Sequence, residues 1–236
     1  MRSRIPLIGL IVACFVAVAA CGSGDSVSDT TTASGFIFID SNGSRICGLM
    51  AESFPPQCGE PSVKLNDLKP ESIVALTSPE DPTLASVAWT DYSTSVEGVL
   101  GPNGLSGVNV LDPVHVSGSE GLVLRVADLG IGVNEPVTWP FDLTNSTDTN
   151  TTLTFSNGQR LELMLSNTSG EVYRWSDGMF FTQAIAQVDL SAGETTPYLL
   201  RADALDLPPG EYTATAWVTA PEAADVVLTW TVVITS

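Results

Sequence analysis

The feature that most constrains the fold of this chain is a series of short apolar segments separated by turn residues. From about residue 35 to the end, segments rich in Val, Leu, Ile, Thr and aromatic residues are interrupted roughly every ten residues by Gly, Pro, Asn or Asp. This spacing is typical of an all-β protein, and no stretch keeps the 3.6-residue period of a long amphipathic helix. We therefore expect a mainly β chain, and its length favours two domains.

The first twenty residues have the layout of an export signal. Arg2 and Arg4 precede an apolar run, residues 5–20, which is too short to span a bilayer comfortably. The run ends in Val-Ala-Ala followed by Cys21, which resembles the lipobox of bacterial lipoproteins. The resemblance implies a signal peptide at 1–20 and a lipidated, palmitate-bearing Cys21 that anchors the protein to the extracytoplasmic side of the cell membrane. The alternative is an ordinary signal peptide cleaved nearby.

Two compositional features describe the exported chain. Residues 21–34 are small, polar and without periodicity, so after the lipidated cysteine we expect a flexible tether with a reach on the order of 20 Å. The formal net charge of the full sequence is −18 and becomes −20 once Arg2 and Arg4 leave with the signal, and such an acidic surface repels phosphate backbones and anionic lipid heads. Nucleic acid is therefore not expected as a partner, and the membrane contact should come from the acyl chains.

A first domain is expected at residues 35–111 as a small β domain, an OB-like barrel. Turn motifs at 40–43 (Asp-Ser-Asn-Gly) and 102–104 (Pro-Asn-Gly) mark two hairpins. Cys47 and Cys58 form an even pair in an oxidising compartment, so we predict a disulfide, for which loop entropy allows roughly 3 kcal/mol. The alternative is a pair of buried free thiols.

A second domain, residues 121–236, contains eight or nine strand-like segments, too many for one flat sheet of this size. Two packed antiparallel sheets are the simplest solution, with one apolar face on each strand. The residues predicted to face the core are Leu161, Leu163 and Leu165 on one strand and Leu228, Trp230, Val232 and Ile234 on another. Glu162 should point away from it.

A family resemblance lies within this second domain. Its blocks, in order, are "FDLTNSTDTNTTLTFSNGQRLELMLSNTSGEVYRWSDGMFFTQA", "VDLSAGET" and "LPPGEYTATAWV". Together they resemble the BsuPI domain, named for an intracellular proteinase inhibitor of bacteria, over about residues 137–220. The resemblance implies an immunoglobulin-like β-sandwich and proteinase inhibition as an activity.

Several residues of these blocks have a structural explanation. Asn157-Gly158 predicts a tight hairpin, and the spacing of Tyr212 from the Pro-Pro-Gly turn at 208–210 predicts a hydroxyl bonded back to that turn. Trp175 is predicted as a core anchor, followed by a turn and a strand that starts at Met179. The block from 171 to 194 is thus interpreted as a folding signature, not as a binding site.

Catalytic patterns are missing from the sequence. There is no Gly-x-Ser-x-Gly motif, and the single histidine, His115, lies in a predicted connector where a solvated side chain is expected. We therefore assign no catalytic residue, no metal ligand and no cofactor, and do not expect an enzyme.

The function expected from these features is that of a lipid-anchored extracytoplasmic binding protein, a proteinase inhibitor whose partner is a protease. Loops at the end of a sandwich are natural contact surfaces, which favours the loops 145–151 and 167–170. The candidate binding residues are Asn145, Thr147, Asp148, Asn150, Asn167 and Ser169. The alternative is a structural envelope scaffold or accessory subunit that pairs with another secreted protein.

Overall fold

The structure, a computed structural model, describes residues 30–79, 81–112, 114–118 and 121–236. The predicted export signal, the predicted lipidation site Cys21 and the tether up to residue 29 lie outside this part of the chain. Within the described residues, no helix is long and apolar enough to cross a membrane.

The amino-terminal half is built from short strands and two 3-10 turns. The elements are β1 (Thr30–Asp40), β2 (Gly43–Cys47), β3 (Met50–Ala51), β4 (Gln57–Cys58), β5 (Ser62–Leu65), a 3-10 turn (Pro70–Ser72), β6 (Leu76–Thr77), a 3-10 turn (Pro82–Leu84), β7 (Ala88–Thr90), β8 (Thr94–Gly101) and β9 (Gly104–Val110). The two predicted hairpin turns are confirmed, because Asp40 pairs with Gly43 and Gly101 with Gly104.

Five of these strands close into a barrel. β1 pairs with β8 along its first half and with β2 along its second half. β2 continues to β5, β5 pairs in parallel with β9, and β9 returns to β8, so the ring is complete. Its core includes Ile37, Ile46, Leu65, Val96 and Leu105. The expected small OB-like barrel is therefore confirmed in outline, with β7 and β6 added beside β1.

The strand β1 begins earlier than the tether prediction allows. Residues 30–34, which we expected to be flexible, pair with β8. The β-branched threonines at 30–32 suit an extended strand. Gly35 lies where the strand changes partner, and an added Cβ there would overlap the carbonyl oxygen of Cys47. A glycine at this point therefore lets β1 approach β2 closely.

The predicted disulfide is confirmed. Cys47 and Cys58 are bonded, with their Cα atoms 5.5 Å apart, and the pair β3–β4 lies within the loop that they close. Cys47 is buried against Phe38 and Trp89 in a small cluster of its own.

The carboxy-terminal half has longer strands. They are β10 (Val114–Ser117), β11 (Leu122–Ala127), β12 (Ile131–Gly132), β13 (Val137–Asn145), β14 (Thr151–Phe155), β15 (Leu161–Asn167), β16 (Gly170–Arg174), β17 (Ala186–Leu190), β18 (Thr195–Ala202), β19 (Gly210–Val218), a 3-10 turn (Pro221–Ala223) and β20 (Val227–Thr235). β10 pairs with β11, so this part takes in the predicted connector and begins at Val114.

Two sheets form a sandwich, as predicted. One has the order β10-β11-β13-β18 and the other β12-β20-β19-β15-β16, and side chains of both enclose a single core. All the residues predicted to face this core are buried. The hydroxyl of Tyr212 donates to the carbonyl oxygen of Pro208 at 2.8 Å, which confirms the predicted bond back to the turn.

One predicted hairpin is wrong. Asn157-Gly158 connects β14 to β15, but β14 pairs with β17 in a separate two-stranded sheet while β15 pairs with β16 and β19. The dipeptide does form a turn, in which Asn157 Oδ1 accepts a hydrogen bond from the backbone N–H of Gln159 at 2.8 Å. The chain turns here as expected, yet it passes from one sheet to another.

The two halves share a buried contact. Val74, Ala75 and Tyr92 of the barrel cluster with Ala127 of the sandwich, and Leu199 packs against them. The backbone N–H of Ala75 donates to the carboxylate of Asp142 at 2.8 Å.

Candidate recognition surface

The first loop predicted for binding, residues 145–151, is organised around a buried amide. Asn145 is fully buried, and its Nδ2 donates to the carbonyl oxygens of Thr149, Leu190 and Ser191 at 2.7, 3.0 and 3.1 Å. Its Oδ1 accepts hydrogen bonds from both the backbone and the hydroxyl of Thr147. Asn145 therefore holds the loop together from inside and does not offer a contact surface, because none of its polar atoms faces solvent.

The other residues predicted for binding lie where a partner could reach them. Asp148 and Asn150 are exposed on the first loop, while Thr147 is half-buried. Asn167 and Ser169 are exposed in the turn between β15 and β16, and Asn167 Oδ1 accepts from the backbone N–H of Ser169 at 2.8 Å. A binding role for these exposed residues stays a prediction.

The largest exposed apolar side chains of the sandwich lie elsewhere, in residues 176–185, here called the apolar loop. Met179 is 39% exposed, Phe180 102% and Ile185 77%. The strand predicted from Met179 is wrong over this stretch, because β17 begins only at Ala186. Consecutive apolar residues resemble a buried strand in sequence, but here no neighbouring strand covers them.

The apolar loop starts from a rigid base. Trp175, predicted as a core anchor, is half-buried against the core, and its Nε1 donates to the carbonyl oxygen of Arg201 at 3.0 Å. Its ring lies 5.9 Å from that of Phe181, centroid to centroid. At the other side, the backbone N–H of Gly158 donates to the carbonyl oxygen of Thr182 at 2.9 Å. The exposed tip around Phe180 is thus carried on fixed neighbours.

A buried carboxylate fixes the first residue of the apolar loop. Glu162 points away from the core as predicted, but it is only 5% exposed because the chain after β16 folds over it. It accepts hydrogen bonds from Leu163 N–H at 3.0 Å, from Ser176 N–H at 3.2 Å, and from the Ser176 hydroxyl. Arg174 Nη1 lies 3.8 Å from it. The loop is therefore tied to the outer face of β15 by a polar cluster.

An open groove of about 500 Å³ lies beside Trp175, between β16 and β18. Each of these strands is at the edge of its sheet. The groove is lined by Val172, Tyr173, Arg174, Trp175, Asp177, Met179, Arg201, Ala202, Asp203 and Ala204. Burial raises the pKa of Tyr173 to about 12, and the nearby Glu162 and Asp177 carboxylates add to this. The groove therefore offers two strand edges and both signs of charge.

A line of contacts continues from this groove into the barrel. Arg201 Nη2 donates to the carbonyl oxygen of Asp91 at 3.2 Å, and the Asp91 carboxylate accepts from Trp89 Nε1 at 3.1 Å. The ring of Phe54, which is 77% exposed, lies edge-on to Trp89 at 6.2 Å. Phe54 belongs to the disulfide-closed loop, so exposed apolar residues of both domains are joined through Arg201 and Asp91.

The single histidine is not solvated as predicted. His115 lies in β10, where its ring stacks on Trp230 at 5.8 Å and its Nε2 is 3.8 Å from the Asp128 carboxylate. In the described part of the chain, no group of three or more His, Cys, Asp or Glu residues could hold a metal ion.

Part of the sandwich matches a known protein family. Residues 131–223 match the family model BsuPI, described as intracellular proteinase inhibitor. No curated protein matches the chain.

The similar solved structures are distant. They include the alkylpurine DNA glycosylase AlkC of Pseudomonas fluorescens, bound to DNA containing an abasic site analog (TM-score 0.32, 12% identity, 50% of this chain and 32% of that one). Others are a CARDB domain from Pyrococcus furiosus in complex with di-metal ions (TM-score 0.28, 13% identity, 52% and 89%) and a β-glucosidase mutant from Listeria innocua in complex with laminaribiose (TM-score 0.29, 13% identity, 70% and 22%). The chain thus spans about a third of the glycosylase and about a fifth of the glucosidase.

Proposed function

We propose, from the premise that residues 131–223 form a BsuPI domain, that this chain binds and inhibits a proteinase through the apolar loop of its sandwich. The family match is the single observation that carries the proposal. The loop 176–185 is the part of that domain best suited to the contact, because Phe180 and Ile185 expose large apolar surfaces on a rigid base. Buried aromatic anchors supply much of the binding energy in protein interfaces.

Rigidity of the loop base supports an inhibitory role. Glu162 holds Ser176 at one end, and the backbone N–H of Gly158 holds the carbonyl oxygen of Thr182 further along, so the exposed residues between Ser176 and Thr182 lose little conformational freedom on binding. The predicted binding residues Asp148 and Asn150 lie at the opposite end of β14 from the apolar loop, since Thr151 pairs with Leu190 and Phe155 with Ala186. Asn167 and Ser169 likewise lie at the end of β15 far from Glu162, so any contacts of these four residues would form a separate surface.

The location proposed for this activity is the extracytoplasmic side of the membrane, with the lipid on Cys21 as the anchor. The arginine-led apolar run before Cys21 supports an export signal. The disulfide between Cys47 and Cys58 supports an oxidising compartment. Cys21→Ser should release the protein from the membrane fraction, and mass spectrometry of the wild type should find acyl chains on Cys21.

The inhibitory activity is tested with the purified full chain against a panel of serine proteinases and metalloproteinases. We expect inhibition of at least one of them below about 1 μM, weakened about tenfold or more by Phe180→Ala. Val233→Ala is the matched control, since Val233 is 48% exposed on β20 in the same domain and outside the loop. A panel left untouched by the wild-type chain would exclude inhibition of these classes.

A second candidate function is pairing with another secreted protein, as an accessory subunit. It is favoured by the two sheet-edge strands, β16 and β18, that line the groove beside Trp175. An extended segment of a partner can add to such an edge through backbone hydrogen bonds. Crosslinking in membranes should then capture one dominant neighbour, and a charged substitution at Val172 in the groove should abolish the crosslink while Phe180→Ala leaves it intact.

A further inference from the structure

The disulfide-closed loop of the barrel, residues 47–58, is exposed at its tip. Residues 51–54 are all exposed, and Phe54 and Leu49 are among the most exposed large apolar residues of the described chain, at 77% and 62%. The loop contains one acidic residue, Glu52, and no Lys or Arg. None of this exposed surface belongs to the barrel core, which contains no residue of the loop.

The base of this loop is fixed. The bond between Cys47 and Cys58 closes it, and the short pair β3–β4 aligns Met50 with Cys58 and Ala51 with Gln57. The backbone N–H of Gly59 donates to the carbonyl oxygen of Leu49 at 2.9 Å. Closure and pairing together restrict the tip to few conformations, which lowers the entropy lost when a partner binds it.

The tip places Glu52 at its apex. The backbone N–H of Ser53 donates to the carbonyl oxygen of Ala51 at 2.8 Å, so the chain turns tightly around Glu52. The hydroxyl of Ser53 donates to the carbonyl oxygen of Pro55 at 2.9 Å and steadies the following residues. In the described structure the Glu52 carboxylate makes neither a hydrogen bond nor an ion pair, whereas the Phe54 ring rests on Trp89.

We propose that this loop is a second, substrate-like contact with a proteinase and presents the peptide bond between Glu52 and Ser53. The inference rests on the proposed function, in which the partner is a proteinase. A bond before proline is a poor candidate, because the proline ring fixes φ and removes the N–H, so the Phe54–Pro55 bond is set aside. Glu52 is then the side chain at the apex that can enter a specificity pocket.

The chemistry is that of slow, limited hydrolysis. The bond between the Glu52 carbonyl carbon and the Ser53 nitrogen breaks, the hydroxyl of one water joins the carbon, and its hydrogen joins the nitrogen. Nothing is oxidised or reduced. The disulfide keeps both new ends in the same molecule, so neither end can diffuse away separately and the bond can re-form while the chain is bound.

The partner class follows from Glu52. A pocket that accepts a carboxylate must carry basic groups, because burying an unpaired charge is unfavourable. The net charge of −18 on the chain would also favour encounter with a proteinase that has a basic cleft. The expected target is therefore a proteinase that cleaves after glutamate, and a glutamate-specific serine proteinase is the probe chosen to test it.

The test exchanges the specificity of the loop in the full-length chain. Wild-type protein should inhibit a glutamate-specific serine proteinase and be cleaved slowly after Glu52, as peptide mass mapping would show. Glu52→Lys should lose about 30-fold or more of that inhibition and gain a similar factor against trypsin, which is the scale of one strong interface contact. Glu52 is exposed and makes no contact within the fold, so this variant should fold as the wild type does.

Glu211→Lys is the matched control, because Glu211 is exposed on β19 of the other domain and the charge change is the same. This variant should change neither the inhibition of the glutamate-specific proteinase nor that of trypsin. Rapid cutting of the Glu52→Lys chain after residue 52 without inhibition of trypsin would overturn the proposal, as would a wild-type chain that leaves the glutamate-specific proteinase fully active. Inhibition that depends on Phe180 but not on Glu52 would preserve the function proposed for the sandwich and reject only this inference.

Discussion

The carboxylate of Asp142 in the sandwich accepts a hydrogen bond from the backbone N–H of Ala75 in the barrel, across the boundary between the two domains, at 2.8 Å. Both residues are buried, and Arg125 Nη1 lies 3.7 Å from the same carboxylate. Asp142→Ala would leave the Ala75 N–H buried without its acceptor. We expect a loss of about 1–3 kcal/mol in the free energy of unfolding, measured by urea denaturation of the full chain.

Asp142→Asn is the control for that measurement, because the amide keeps an oxygen that can accept from Ala75. It should cost less than Asp142→Ala. Equal losses in the two variants would mean that the contact with Ala75 contributes nothing and that the Arg125 attraction is what matters.

The contribution of Asp142 to the free energy of unfolding should decrease as the pH rises, because Asp142 is a buried acid. Burial raises the pKa of Asp142, and the Ala75 N–H and Arg125 only partly oppose this. The folded protein then binds a proton more readily than the unfolded chain. The stability that Asp142 contributes is therefore present below its unfolded pKa of about 3.9 and is lost as pH rises through the raised folded value.

Comparing wild type with Asp142→Asn isolates this effect from that of other acids. The difference in unfolding free energy should shift in favour of wild type as the pH falls from 7 towards 4, in urea titrations at each pH. Asp112, whose pKa burial also raises, is common to both proteins and cancels. A difference that grows with rising pH would contradict the assignment.

Asn145 should matter for stability. Its amide donates to three backbone carbonyls, that of Thr149 in the loop after β13 and those of Leu190 and Ser191 at the end of β17. Removing hydrogen bonds to buried groups costs about 1 kcal/mol each, so Asn145→Ala should lose about 2–3 kcal/mol in thermal or urea unfolding. The exposed neighbour Asn150 serves as the control. Its Oδ1 accepts a single hydrogen bond, from the backbone N–H of Ala192 at 3.3 Å, which water can replace, so Asn150→Ala should cost less than about 1 kcal/mol.

The different roles of these two asparagines could not be predicted from the sequence. Both fit a turn-rich polar loop, and sequence cannot tell which amide points inwards. That depends on β17 and on the turn after it, which lie about forty residues further along the chain in sequence. Local chemistry predicted the turn, but the non-local partner decided the role.

Strand alternation was the more reliable guide. Leu161, Leu163 and Leu165 lie in the core as expected, since period-2 patterning acts on each strand by itself. Glu162 follows the same alternation to the outer face, but it is buried there because the start of the apolar loop covers it. The hairpin predicted at Asn157-Gly158 was wrong for a similar reason, because the strand order of a sandwich depends on contacts between distant segments.

The apolar loop was missed because its composition resembles that of a strand. Residues 179–185 contain two consecutive phenylalanines and an isoleucine, which favour extended structure. Strand alternation already indicated that the adjacent Phe180 and Phe181 could not both face the core. Only the structure shows that Phe181 turns to Trp175 while Phe180 remains in solvent.

The hydroxyl of Tyr212 provides a further test of the sandwich corner. Tyr212→Phe keeps the buried ring and removes only the donor to the Pro208 carbonyl, so the expected loss is about 1 kcal/mol in the free energy of unfolding. Tyr198→Phe is a suitable comparison, because no hydrogen bond of the Tyr198 hydroxyl is present among the described residues. A larger effect at Tyr198 would show that the corner bond is not what stabilises this turn.

The contact between Arg201 and Asp91 has a consequence for how a partner would be held. Together with the buried contact between Asp142 and Ala75, it fixes the separation of the two domains that carry the apolar loop and the disulfide-closed loop. Once one loop has docked, the other is presented at a high effective concentration, so the two contacts strengthen each other only for targets whose geometry matches that spacing. If both proposed contacts hold, the fixed domain boundary would favour proteinases whose two binding sites match that separation.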